Sequence, residues 1–237
     1  MLADNEKMTR AISACAAQAP FLLDRHARLI HNLEEHAGLD RALEHLPTEA
    51  EIERRRAGEQ GLTRPEAAVL LAYSKNRVRE ELLASDLADE PQVADAAQTY
   101  FPAVIRQRFA ARIRTHRLVR EISATSLANN LINRVGPGFL YRLEERTGAT
   151  TPDAARAFAA VHNIFDLDPL WELLDRSADT ISPEVEQHVL REVQRLTERA
   201  SDWLLRHACQ PDAMAAAVGR LRPSVRQMIA RLRQLPP

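Results

Sequence analysis

The chain starts helix after helix with one device, a side chain able to cap followed closely by proline. Thr63–Arg64–Pro65–Glu66 has the spacing of a capping box. In such a box the threonine hydroxyl accepts from the backbone N–H three residues on, and the glutamate reaches back to the threonine N–H. Proline is tolerated there because first-turn N–H groups have no partner within the helix. Thr151–Pro152–Asp153, Asp168–Pro169 and Ser182–Pro183–Glu184 repeat the order, and Pro47–Thr48–Glu49 starts another helix. Two shortages point the same way: 7 glycines and 5% aromatic residues. Sheets spend aromatic and β-branched residues on pleated faces, and nucleotide-binding α/β domains spend glycine on phosphate loops.

Periodicity extends the argument. Val185, Val189, Val193, Leu196, Ala200 and Trp203 step by three or four, which predicts one apolar stripe on a helix over 183–208. Over 103–134 the stripe through Ile105, Phe109 and Ile113 drifts, so this segment either kinks near Thr115–His116 or is enclosed on more than one side. Further helices are expected near 3–18, 24–37, 39–46, 48–57, 63–84, 92–99, 138–147, 152–164, 169–177, 212–219 and 223–234. No stretch reads as a strand, and no repeat of solenoid period is found. The expected fold is all-α: an irregular multi-helix domain of roughly ten or more helices without a significant sheet. The expected organisation is a set of N-terminal helices over 1–60 and a main helical domain over 61–237, with a soft boundary at Gly58–Gly61.

Composition narrows the function. A net charge of -1 speaks against a dedicated nucleic-acid binder, which needs a basic excess. No apolar run approaches the roughly 18 residues of a membrane span, and the N-terminal residues do not read as a signal peptide. Cys15 and Cys209 form no framework, which suits free thiols in a reducing cytoplasm. Lys7 and Lys75 are the only lysines, so arginine supplies 30 of the 32 basic residues.

Candidate chemistry is sparse. His26, His31, His36 and His45 crowd one region, but a step of five sets two rings about 140° apart around a helix, where they cannot share an ion. Arg106, Arg108, Arg112, Arg114, Arg117 and Arg120 form the strongest positive run and suit a charged helix face or a protein contact. Ser123, Thr125, Ser126, Asn129, Asn130 and Asn133 are unusual on a helix, because such side chains compete for its backbone bonds. Two readings stay open for that run: a partly exposed helix, or a central one whose amides find partners. No nucleophile triad, phosphate loop or dinucleotide fingerprint is present, and Gly136–Pro137–Gly138 reads as a helix break.

Long ordered stretches carry a resemblance. "HARLIHNLEEHAGLDRALEHLPTEAEIERRRAGEQGLTRPEAAVLLAYSK", "LLASDLADEP" and "YFPAVIRQRFAARIRTHRLVREISATSLANNLINRVGPGFLYRLEERTGA", with "LDPLWELLD" and "ERASDWLLRH", resemble the C-terminal region of the large bacterial NAD-specific glutamate dehydrogenase. The likeness covers most of residues 20–207. Its matching residues include Gly61, Thr63, Arg64, Pro65, Glu66 and Tyr73, then Arg117, Arg120, Glu121, Asn133, Arg134 and Gly136. The resemblance implies a parent oxidoreductase that converts L-glutamate, NAD and water to 2-oxoglutarate, ammonium and NADH. It places the parent's catalytic and NAD-binding residues in a preceding domain, so none is expected here, and neither is a metal or cofactor. It further implies a structural, regulatory or assembly role, with the catalytic portion of the same polypeptide and other subunits as partners. An independent helical scaffold and, less favoured, a nucleic-acid binder through the 106–120 arginines are the alternatives.

The expected contact surface is Arg117, Arg120, Glu121, Asn129, Asn130, Asn133 and Arg134, where arginines and amides cluster between apolar residues. Lacking a fingerprint loop and a plausible lysine pair, the chain alone is expected neither to oxidise glutamate nor to bind NAD. Calorimetric titration with NAD checks this, and no micromolar isotherm is expected.

Overall fold

The fold was analysed in a computed structural model that describes residues 2–90, 100–177, 181–232 and 234. The helices are α1 (Leu2–His36), α2 (Glu49–Ala57), α3 (Arg64–Leu83), a 3₁₀ turn η1 (Asp86–Asp89), α4 (Ala103–Arg114) and α5 (Val119–Val135). They continue with α6 (Phe139–Thr147), α7 (Thr151–Phe165), α8 (Asp168–Ser177), α9 (Pro183–His207) and α10 (Pro211–Leu232). No strand occurs among the described residues, so the chain is all-α. The helix expected at 92–99 lies outside them. Two compact units divide the chain, Met1–Tyr141 and Arg142–Pro237, and Gly58–Gly61 falls inside the first.

The first unit is built on α3. Thr63 caps it as the sequence predicts: its backbone N–H donates to Glu66 Oε2 at 2.7 Å, and the Glu66 N–H donates to Thr63 Oγ1 at 3.5 Å. Leu70, Val78 and Leu82 are buried along α3, which packs against α1 and α5. Leu29, Ile30 and Leu33 of α1, Ile52 of α2 and Leu62 complete a core with Leu39 and Leu46. The loop over 39–46 was expected as a helix and is not one. Asp40 Oδ1 accepts from the Ala42 and Leu43 N–H groups, and His45 adopts φ +51°, so the chain makes a single turn before Pro47.

Helix α1 spans both of the segments expected at 3–18 and 24–37, and it is not straight. Cys15 Sγ lies 3.7 Å from His26 Nε2. A straight helix would separate these residues by about 16 Å along its axis. The stretch between Cys15 and His26 therefore departs from a straight helix. The long segment over 103–134 is also two helices, α4 and α5, broken at 115–118 as the Thr115–His116 reading allowed. There the Leu118 N–H donates to His116 Nδ1 at 3.1 Å.

The second unit depends on small residues. Ala154, Ala155, Ala157 and Ala160 of α7 are buried with Phe158, Val161 and Ile164, and α7 packs against both α9 and α10. Thr150, not Thr151, caps α7; Thr151 is buried and donates to Glu144. The segments expected at 212–219 and 223–234 form the single helix α10, which runs through Pro223. Helix α9 starts at the Ser182 cap as expected, but the buried face is not the expected stripe. Leu190, Val193, Thr197, Ser201, Leu204 and Leu205 are buried, whereas Val185, Leu196 and Trp203 are 53%, 38% and 44% exposed. Buried Thr197 donates its Oγ1 proton to its own helix at Val193 O, 2.7 Å away. Across the unit Glu198 accepts from Arg142 at 2.7 Å and pairs with Arg146 at 3.0 Å.

Arginine clamps knit the first unit. Arg55 donates to both oxygens of Glu66, at 2.7 and 2.8 Å, to Glu51 at 2.6 Å and to the Gly61 carbonyl at 3.3 Å. Arg41 holds Glu34 with two bonds, 2.8 and 2.9 Å, and Glu49 with one of 2.7 Å, tying α1 to α2. Burial raises the Glu66 carboxyl pKa, but the bonds from Arg55 and Thr63 outweigh it and hold the group below the usual carboxylate range.

Replacing Glu66 by Gln leaves a largely buried guanidinium short of its counter-charge, so urea unfolding at pH 7 should show a loss of about 3 kcal/mol. Because the folded pKa is depressed, this stabilisation is present above the unfolded value, about 4.3, and is lost as pH falls through the folded one. The gap between wild type and Glu66→Gln should therefore close in acid. Separately, burial pushes the Cys15 thiol up to about 12, while Cys209 is exposed. A disulfide-exchange reagent at pH 8 should titrate one fast thiol, lost in Cys209→Ser, and reach the second only in denaturant.

Candidate functional site

The expected contact residues lie on α5 and the turn before it, and the helix sorts them by face. Ser123, Ala124, Leu127, Ala128, Leu131, Ile132 and Val135 are buried, facing α3 and α1. Arg117, Glu121 and Asn130 are exposed. Arg120 is half-buried and turned inward: its Nη2 donates to the Ser85 carbonyl at 2.8 Å, and its Nε lies 3.2 Å from Asp89 Oδ1. It is an anchor between α5 and η1. Arg134 is half-buried and has a partner within the protein. Asn133 buries its Oδ1 without a hydrogen-bond partner among the described residues.

The hydroxyl run on α5 resolves in a way open to sequence reasoning. Ser123 Oγ donates to Val119 O and Thr125 Oγ1 to Glu121 O, both at 2.7 Å. Ser123 and Thr125 thus return their protons to carbonyls four residues back, inside the helix, whereas Ser126 buries its Oγ without a hydrogen-bond partner among the described residues. Asn129 instead lines a cavity of about 370 Å³ between α1, α3 and α5, with Lys75, Asn76, Arg79 and Thr125. No sequence signal placed Lys75 and Arg79 in the same cavity wall as Asn129, because that depends on how α3 packs against α5.

The remaining candidates stand apart. On α4, Arg108 and Arg112 are exposed, and Arg108 lies 5.4 Å from the Phe109 ring centre. His26 is buried, whereas His31 and His36 are exposed within 3.4 and 3.8 Å of Glu35. No group of three His, Cys, Asp or Glu side chains among the described residues could hold a metal ion. No described helix is long and apolar enough to cross a membrane. Gly136–Pro137–Gly138 joins α5 to α6; Gly136 has φ +86°, a conformation that favours glycine, and its N–H closes α5 onto Ile132 O.

Several residues that carry the family resemblance have structural work. Thr63 and Glu66 form the cap, Gly61 presents its carbonyl to Arg55, and the Tyr73 hydroxyl donates to Glu44 at 2.8 Å. These contacts hold the 40–46 turn, α2 and α3 together.

Comparison with known proteins agrees with the resemblance. The chain is 36% identical over 232 residues to the NAD-specific glutamate dehydrogenase of Mycobacterium tuberculosis, covering 98% of this chain and 14% of that protein. The Pseudomonas aeruginosa protein of the same name is 34% identical over 235 residues, 99% of this chain and 14% of its own length. That of Halomonas elongata is 33% identical over 206 residues, 87% and 13%. The chain thus spans about 14% of the length of the first two relatives. The family model described as glutamate dehydrogenase, C-terminal, matches residues 59–236, and the chain belongs to that family.

Proposed function

We propose that this chain acts as the C-terminal helical domain of a large NAD-specific glutamate dehydrogenase, an enzyme that converts L-glutamate, NAD and water to 2-oxoglutarate, ammonium and NADH. The observation that carries the proposal is the family match over 59–236, together with relatives named for that activity. In this reading the domain supplies no reacting group and binds no NAD. It works in the cytoplasm by contact with the catalytic portion of the enzyme or with another subunit.

The surface proposed for that contact is the outward face at the start of α5 and its turn, with Arg117 and Glu121; Asn130, nine residues on, lies on the opposite side of the helix. These exposed polar groups sit on a helix held firmly behind by its buried leucines and by the Arg120 anchor. A planar guanidinium such as that of Arg117 suits recognition of a carboxylate across an interface. A rigid domain pressed there steadies a catalytic cleft without joining the chemistry.

Two variants separate contact from scaffold. Arg117→Ala with Glu121→Ala should leave the melting temperature of this chain within about 1 °C, since exposed groups contribute little to stability. In the full-length enzyme the same pair should lower glutamate-dependent NADH formation several-fold or shift the assembly state in sedimentation. Arg120→Ala should instead destabilise the isolated chain by about 1 kcal/mol. An Arg117/Glu121 variant enzyme with wild-type turnover and assembly would rule this surface out.

A further inference from the structure

We infer that the outward face of α9 is a docking surface for a second copy of this chain, with the two α9 helices antiparallel and crossing at Leu196. Val185, Val189, Leu196, Ala200 and Trp203 fall within about 60° of one another around the helix, a single apolar stripe. The second unit buries another side of α9, with Leu190, Val193, Leu204 and Leu205, and leaves Val185, Leu196 and Trp203 exposed. Apolar side chains scattered singly over a surface are ordinary. These three instead lie in one line over about 27 Å of a single helix, the shape that a facing helix covers.

The charges along the edge of the stripe select the occupant. Glu192 and Arg199 lie on the same edge, four residues before Leu196 and three after it. Arg199 is exposed and forms no ion pair among the described residues. Glu192 meets Arg195 of its own helix at 2.9 Å, an exposed pair of the kind that contributes little and exchanges readily. In a two-fold antiparallel pair the same edges meet, so Glu192 of each copy faces Arg199 of the other. Val189 and Trp203, seven residues on either side of Leu196, face each other in the same arrangement. A parallel pair would set Glu192 beside Glu192 and Arg199 beside Arg199. An unrelated helix would need two charges of its own at the matching spacing, whereas a second copy carries them already. The contact is small: two helix faces of this length bury on the order of 1,000 Å² in total, the low end for a specific interface. The dimer is therefore weak, with a dissociation constant on the order of 10–100 μM.

Sedimentation equilibrium of the 237-residue chain across that concentration range tests the assignment. The mass should rise from the monomer value of 26.7 kDa toward twice that value. Leu196→Glu, at an exposed position, should hold the chain monomeric without altering its melting temperature. Glu192→Arg and Arg199→Glu should each weaken association about ten-fold, because each sets like charges face to face. An equimolar mixture of those two variants should associate at least as tightly as wild type, since both pairs are then matched. A chain monomeric throughout the range overturns the inference. So does a dimer indifferent to Leu196→Glu, which belongs to another surface, or a mixture no tighter than its components. The measurement reads mass alone, so its outcome is independent of the α5 contact.

Discussion

The first unit depends on a carboxylate that serves two masters. Glu66 closes the first turn of α3 onto the Thr63 N–H and also receives the paired donors of Arg55 from α2. Neither role is separable from the other. If α2 moves away, the α3 cap keeps its backbone bond but leaves a charged group poorly solvated. If α3 frays, Arg55 retains Glu51 and the Gly61 carbonyl but loses its main counter-charge. Helix ends are normally the first parts of a domain to open. Here the last turn of α2 and the first turn of α3 are coupled through one ion pair. The Arg41 clamp on Glu34 and Glu49 applies the same logic to the turn between α1 and α2.

The second unit solves the packing problem differently. Its central helix, α7, buries four alanines with Phe158, Val161 and Ile164, and α9 buries the small polar residues Thr197 and Ser201 among Leu190, Val193, Leu204 and Leu205. Leu196 and Trp203 of α9 are left exposed. Trp203 finds a surface alternative by stacking on His207, with ring centres 4.8 Å apart.

Much of the fold was legible because caps and prolines are local. Thr63, Thr48 and Ser182 each cap the helix whose start they announce, and the Thr115–His116 break was visible as a drifting stripe. What was not legible required knowing a neighbour. The buried face of α9 takes in Thr197 and Ser201, two polar residues that an apolar period passes over. The turn at 39–46 follows from His45 in a left-handed conformation, and Thr151 yields its capping place to Thr150 because Glu144 takes its hydroxyl. At the candidate site, α5 was recognisable as a polar oddity. Its division into an anchor at Arg120, an outward Arg117 and a cavity-facing Asn129 came only with α3 and η1 in place.

The placement of the aromatic residues has a practical outcome. Both tryptophans, buried Trp171 and exposed Trp203, belong to the unit Arg142–Pro237, and all three tyrosines, Tyr73, Tyr100 and Tyr141, belong to Met1–Tyr141. Emission excited at the red edge, where only indole absorbs, is consequently blind to the first unit. Phenol absorbance is silent about the second. The molecule carries its own pair of spectrally distinct labels, so whether its halves melt as one cooperative body can be read without attaching a dye to either.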